Sequence, residues 1–431
     1  MKDMTIKFIK KATKTPETDD LKTRSEVSKI LDDIQKRKEE AIKELNKKFD
    51  NYDGEIIVSQ ERIADAKKQL DKKIKDDIKF AYDRIKKFSE HQLKSMNNNF
   101  EVELSKGLFA GQKLVPIETV GCYVPGGRYP HISSAIMSIV PAKVAGVKNI
   151  ICASPPKDIH GANNGIIFAA NYCGANLIMN LGGVSAIGSL TYGCFGNKPV
   201  DFLVGAGNQY VAEAKRIVFG KVGIDQFAGP TEIAIIADKT SDKEIVAADI
   251  VGQVEHGYNS PAWLITSDKT LADFVSKRVP ELIKELPKLS KENAEKAWKD
   301  YGEIILCESR EEMLETSDKY ASEHLEVHAE NLNWWLENLK NYGSLFLGEE
   351  TTVAYGDYCS GTNHILPTKG AGRYTGGLFV GKFLKTLTFQ RMTKDATKTI
   401  GPNAARLGRA EGMEGHARTC DARLRKYGFS N

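Results

Sequence analysis

Two histidines four residues apart, His324 and His328, sit in the stretch YASEHLEVHAENLNWW at 320–335 together with the carboxylates of Glu323 and Glu326. Drawn as a helix, the stretch turns both imidazoles to one face, which suits either a metal-ligating pair or acid/base chemistry. Zinc-binding pairs of the HExxH kind carry their general base directly after the first histidine, and Leu325 stands there. Glu326 falls on a different face of such a helix from His324. The spacing therefore weakens the metal reading and favours Glu323 and His324 as an adjacent acid/base pair, with His328 as a structural residue.

The other histidines with chemical company are few. GQVEHGYNS sets Gln253 and His256 one helical turn apart, so both can face one point. YGDYCSGTNHILPTKGAGRY offers Asp357 and His364 in a glycine-rich loop, and EGMEGHAR brings Glu411, Glu414 and His416 together. Each alone is equally a hydrogen-bonded surface or core histidine. GAGNQY at 205–210 follows the apolar run DFLVG but lacks the third glycine of GxGxxG, while YVPGG and LGGVSAIG are glycine turns that would let a cofactor approach the backbone. A dinucleotide site and tight strand-to-helix turns that bind nothing both fit these signals.

The elements that must position these residues are those of an α/β protein. Residues 24–110 carry charged and apolar positions at helical spacing, as in VSKILDDIQKRKEEAIKELNKKF, and predict amphipathic helices. From residue 114 short apolar runs punctuated by glycine alternate with helical segments, the mark of βα units and a parallel sheet; a second such series follows, with PAWLITSD and GEIILCESR as strands. Residues 375–431 are basic and helical in pattern, with no strand signal.

Composition narrows the function classes. Lys and Arg number 61 against 57 Asp and Glu, a formal +4, and the lysines are spread through amphipathic segments, which argues against nucleic acid as a partner. No run reaches the ~18 apolar residues of a membrane span, and the N-terminus lacks a signal-type apolar core, so a cytoplasmic protein without a membrane partner is expected. Seven scattered cysteines without a CxxC pair read as reduced packing thiols.

Taken in order, GCYVPGG, AGPTEIAIIAD, QVEHG, SEHLE, GDYCSGTNHILPT and EGMEGHAR resemble the motif series of the histidinol dehydrogenase family over essentially the whole chain. The resemblance implies zinc- and NAD-dependent oxidation of a primary alcohol through an aldehyde to a carboxylate. It implies zinc ligands at Gln253, His256, Asp357 and His416, an acid/base pair at Glu323 and His324, substrate contacts at Thr231, His364 and Glu411, and NAD contacts at Tyr123 and Asn208. Ser185 stands at a further cofactor position that the family often fills with glutamine. The implied fold is a pair of incomplete Rossmann-like parallel-sheet domains, at 22–121 plus 237–374 and, inserted, at 122–236, with an N-terminal arm at 1–21. A small helical domain at 375–431 would swap across a homodimer, so that His416 and Glu411 complete the partner's site. Within the family, EHGYNSPAWL, ASEHLEVHAENLNWWLENLKNYGSLFLGEETTVAYGD and GKFLKTLTFQRMT resemble a branch that oxidises 2,3-dihydroxypropane-1-sulfonate to sulfolactate; histidinol to histidine is the alternative. A sulfonate needs cationic or amide donors, for which Asn259, Thr375, Arg128, His131 and Arg373 are the candidates.

Overall fold

In chain order the strands are β1 (Lys7–Lys10), β2 (Asn99–Ser105), β3 (Leu108–Pro116), β4 (Thr119–Tyr123), β5 (Asn149–Ser154), β6 (Leu177–Asn180) and β7 (Phe202–Val204). They continue with β8 (Gly223–Ile224), β9 (Ile233–Ala237), β10 (Ala262–Thr266), β11 (Gly302–Leu306), β12 (His324–His328), β13 (Ser344–Leu347) and β14 (Leu384–Met392). The computed structural model describes residues 6–14, 21–96, 99–127, 129–226 and 229–429, so Arg128 lies outside the described residues. The chain divides into a larger unit, residues 1–93 with 117–383, and a smaller one, residues 94–116 with 384–431.

The larger unit holds two sheets. One is wholly parallel in the order β6-β5-β4-β7-β8; the other runs β1-β11-β10-β9-β12-β13 and is parallel except for its edge, where β1 lies antiparallel to β11. Their inner strands read as continuous apolar runs, TVGCY and IAIIA among them, because helices cover both faces and leave no residue a solvent side. Helices Leu21–Arg37 and Glu39–Asp50 place Val27, Leu31, Ile34 and Ile42 in the core beneath the five-stranded sheet.

The stretch that raised the first chemical question is a strand. His324, Leu325, Glu326, Val327 and His328 are all buried in β12, between β9 and β13. Leu325 and Val327 enter an apolar layer with Met313 and Trp335, so the period is two and His324, Glu326 and His328 share the opposite face. The expected helix, and with it the separation of Glu326 from His324, is thereby corrected. Helix begins only afterwards, at Leu332–Asn338, anchored by the buried Trp335.

The smaller unit contains the antiparallel sheet β14-β3-β2 and two helices, Lys394–Ala410 and Glu414–Lys426. It corrects two expectations: β2 and β3 interrupt the region read as helical, and β14 pairs with β3 along nine residues of the strandless tail. β14 is almost wholly exposed, so backbone pairing holds it and no apolar run marks it. The two helices close on Gly401, where an added Cβ would stand 3.1 Å from Leu424.

A buried ion pair fixes the turn after β7. Gly205 adopts φ +121°, and a Cβ there would lie 2.1 Å from the carbonyl oxygen of Tyr123, so only glycine fits. Lys215 Nζ donates to the Gly205 carbonyl at 2.7 Å and to Asp225, whose Oδ2 accepts from Gly205 N at 2.8 Å. Both side chains are at most 3% exposed. Lys215→Met would strand the Asp225 charge, and we expect a loss of about 3–5 kcal/mol, read from the denaturant midpoint of the folded protein.

Candidate active site

A cleft of about 950 Å³ opens where the carboxyl ends of β4, β6 and β7 meet the amino ends of β9, β10 and β12. It brings together Tyr123, Ser185, Asn208, Thr231, His256, Asn259, Glu323, His324, Asp357 and His364. These residues come from segments more than two hundred positions apart, delivered by loops that leave short buried strands.

His324 and Glu323 are 3% and 6% exposed. The Nδ1 of His324 lies 3.1 Å from the carbonyl oxygen of Glu232, which makes it the protonated nitrogen of the neutral ring. Nε2 is then the basic atom; it is buried, has no hydrogen-bond partner and stands 3.5 Å from Asp357 Oδ1. Glu323 Oε2 accepts from Thr231 Oγ1 at 2.6 Å and from Glu232 N at 3.0 Å. Burial raises the Glu323 pKa to about 7, against the pull of His324. Burial also opposes the His324 charge, yet Glu323 and Asp357 outweigh it and hold the imidazole up at about 9. Without a metal ion the imidazole thus keeps its proton at neutral pH while Glu323 titrates there; a cation held by Asp357 would offset the carboxylate field that keeps His324 charged and so free Nε2 to act as a base.

The donor set around Asp357 fits a metal of the zinc type. Gln253, 2% exposed, donates through Nε2 to Thr231 Oγ1 at 2.8 Å, which leaves its Oε1 buried and unpartnered. His256 Nδ1 is 3.1 Å from the Gln253 carbonyl, so donation there leaves Nε2 as a lone pair. Asp357 has its pKa lowered, because its contacts with His324 prevail over burial. An amide oxygen, a carboxylate oxygen and an imidazole nitrogen suit zinc and leave positions for substrate.

The other half of the cleft suits a dinucleotide. Gly182 precedes helix Gly183–Tyr192, and a Cβ built on Gly183 meets nothing within 4 Å. Tyr123 OH accepts from Gly183 N at 3.3 Å. Asn208 caps helix Gln209–Val218, its Oδ1 accepting from Tyr210 N and Val211 N, so its amide group remains for a ligand. Ser185 is buried in the first turn of Gly183–Tyr192. A helix N-terminus with open backbone approach is the usual seat of a pyrophosphate.

The remaining sequence candidates are placed as follows. His364 receives a hydrogen bond from Ser134 Oγ at Nε2, 2.8 Å, and its Nδ1 lies 2.8 Å from the Asp357 carbonyl, so it also braces Asp357. Thr231 is engaged by both Gln253 and Glu323. Thr375 accepts from Lys382 Nζ at 3.2 Å and, like the exposed Arg373, is not among the cleft-lining residues, whereas Asn259 and His131 are. Glu411 and His416 are exposed residues of the smaller unit. Sequence reasoning passed over Glu232, 2% exposed and pushed up to about 8 by burial and by Glu323, although it lies inside the motif GPTEIAII. It also passed over a second cluster, Asp249, Glu326 and His328, whose ligand-type atoms lie within 4.8 Å of one another.

Two parallel α/β sheets thus meet at a cleft with a histidine–glutamate pair on one side and glycine turns with a helix N-terminus on the other, an arrangement that suits an oxidoreductase. The histidinol dehydrogenase family model matches residues 13–424, and the chain belongs to that family, oxidoreductases that act on CH–OH groups and are in general NAD- and zinc-dependent. It is 65% identical to a histidinol dehydrogenase homolog of Pelagibacter ubique over 99% of this chain and 100% of that one. It is 51% identical to the sulfopropanediol 3-dehydrogenase of Ruegeria pomeroyi over 98% of this chain and 97% of that one. The crystal structure of histidinol dehydrogenase from Elizabethkingia anophelis superposes with a TM-score of 0.89 at 34% identity, covering 96% of this chain and 94% of that one. Among the described residues no helix is long and apolar enough to cross a membrane.

Gln253→Leu removes the orphaned oxygen while filling its space. We expect zinc retention, followed by competition with a chromogenic chelator, to fall by at least the roughly 10–100-fold that loss of a metal site's outer partners costs; unchanged retention would take Gln253 out of the ligand set.

Proposed function

We propose that the protein carries out the zinc- and NAD-dependent four-electron oxidation of 2,3-dihydroxypropane-1-sulfonate through its aldehyde to sulfolactate. The observation that carries the reaction class is the bare, buried Nε2 of His324 beside Asp357 and the orphaned Gln253 oxygen. The sulfonate reading rests on 51% identity to a sulfopropanediol 3-dehydrogenase, against 38–39% to histidinol dehydrogenases of three other microbes. Asn259, with its amide in the cleft, is the donor best placed for the sulfonate.

Zinc held by Gln253, His256 and Asp357 would acidify the substrate hydroxyl, and NAD would take up the hydride. His324 Nε2 accepts the hydroxyl proton, while its Nδ1–H stays on the Glu232 carbonyl and keeps the ring in one tautomer. For the second oxidation the aldehyde is hydrated, with Glu323 as the base for water; Thr231 and Glu232 hold Oε2, so the proton goes to Oε1. A second NAD would supply the hydride acceptor for the hydrate. The fourth zinc ligand, His416, and the substrate contact Glu411 would come from the C-terminal region of a partner copy in a cytoplasmic homodimer.

Side-by-side assays of NAD reduction at 340 nm with dihydroxypropanesulfonate and histidinol test the substrate: turnover of the sulfonate is expected, and turnover of histidinol alone would overturn the assignment. We expect His324→Asn to abolish the first oxidation and Glu323→Gln to let aldehyde accumulate, each by about 10²–10⁴-fold in the affected step. Mixing His324→Asn with His416→Asn chains after subunit exchange should restore part of the activity that each lacks alone; no restoration would exclude a site shared between copies.

A further inference from the structure

Beneath the catalytic cleft lies a second buried polar cluster that the proposed reaction does not use. His328 Nε2 stands 3.4 Å from Glu326 Oε2 and 3.7 Å from Asp249 Oδ2. Glu326 is fully buried, His328 is 3% exposed and the Asp249 side chain 13%. Glu326 Oε1 accepts from Val353 N at 2.8 Å, and Asp249 Oδ1 accepts from Thr352 Oγ1 at 3.0 Å. From outside the cluster, another carboxylate, Glu349, also acts on His328. Two buried carboxylates therefore face one another across a single imidazole.

Each segment that meets in this cluster also carries a residue of the catalytic cleft. Asp249 and Gln253 are four residues apart on helix Lys243–Val254, hence on one face. Glu326 and His328 share a face of β12 with His324. Thr352 and Val353 begin helix Val353–Tyr358, which bears Asp357 one turn later. We infer that His328, with Asp249 and Glu326, is a positioning joint that locks these three segments in register and so sets Gln253, His324 and Asp357 against one another. His328 touches neither substrate nor metal in this scheme. Its part is to neutralise the repulsion between Asp249 and Glu326, so that each carboxylate keeps its hydrogen bond to the start of the Asp357 helix. The inference rests on the function proposed above.

The test compares His328→Gln, Asp249→Asn and the double variant with the wild-type holoenzyme, using zinc retention, kcat, KM for NAD and thermal melting. We expect His328→Gln to lower zinc affinity and kcat by about tenfold or more, the scale of outer-partner losses at metal sites, with KM for NAD unchanged because the dinucleotide seat lies on the other sheet. Adding Asp249→Asn, which removes one of the two facing charges and keeps an acceptor for Thr352, should recover most of both losses. A lower melting temperature with wild-type zinc affinity and kcat would reduce the cluster to ordinary core structure and overturn the inference. Two metal ions per wild-type chain and one in His328→Gln would overturn it in favour of a second metal site. A wild-type protein that neither held zinc nor reduced NAD would overturn the proposed function and this inference together, whereas an active wild type beside an unaffected His328→Gln would sink only the inference.

Discussion

The chain of hydrogen bonds from Gln253 Nε2 to Thr231 Oγ1 and from that hydroxyl to Glu323 Oε2 ties one side of the cleft together. Because the threonine hydroxyl has one proton and gives it to the carboxylate, it must accept from the amide, and the amide oxygen is left buried without a partner. One small residue thus fixes two functions: it leaves an oxygen bare for a metal and holds a carboxylate with one oxygen engaged and the other free. The backbone contributes the rest, since Glu232 N supports Glu323 and the Glu232 carbonyl sets the tautomer of His324. Residues 231 and 232 stand immediately before β9, a central strand of the six-stranded sheet, paired on both sides by β10 and β12.

The two sheets divide the labour by direction. The five-stranded sheet presents the carboxyl ends of its strands, the usual ligand side of an open parallel sheet, and there the glycine turns and the N-terminus of Gly183–Tyr192 make room for phosphate. The six-stranded sheet presents the amino ends of β9, β10 and β12, so its contribution is made of residues that precede strands, Thr231, Asn259 and Glu323 among them. Such residues are held by the first ladder bonds of buried strands and are placed more rigidly than a loop tip would allow.

Much of this was legible in the sequence, and the failures have physical reasons. Buried parallel strands such as IAIIA and AWLIT announce themselves because nothing polar interrupts them. HLEVH does not: with histidine and glutamate on one face, four-residue histidine spacing matches a helix as well as a two-step strand alternation, and only Leu325 and Val327 at i and i+2 favour the strand. β14 was invisible for the opposite reason, being solvent-exposed and held by β3 rather than by burial. The glutamate–histidine pair was found from adjacency and motif order, whereas Glu232 and the Asp249–Glu326–His328 cluster needed the tertiary fold, because burial and proximity, not spacing, give them their character.

Which nucleophile meets the aldehyde decides how the second oxidation runs. A thiohemiacetal needs an accessible thiolate, and Cys122 is 0% exposed with its pKa raised well above the usual thiol value by burial and by Cys152. Cys122 is therefore a packing residue of β4, and the free cysteines that are buried, Cys152, Cys173, Cys194 and Cys307, are inert for the same reason. Glu323, by contrast, is raised to about 7, so that near neutrality it can hold a proton or take one. A carboxylate with one oxygen engaged by Thr231 and Glu232 has a single remaining site for a proton, which restricts where water can be activated. That restriction is what would keep the aldehyde on course to the acid in the reaction proposed here.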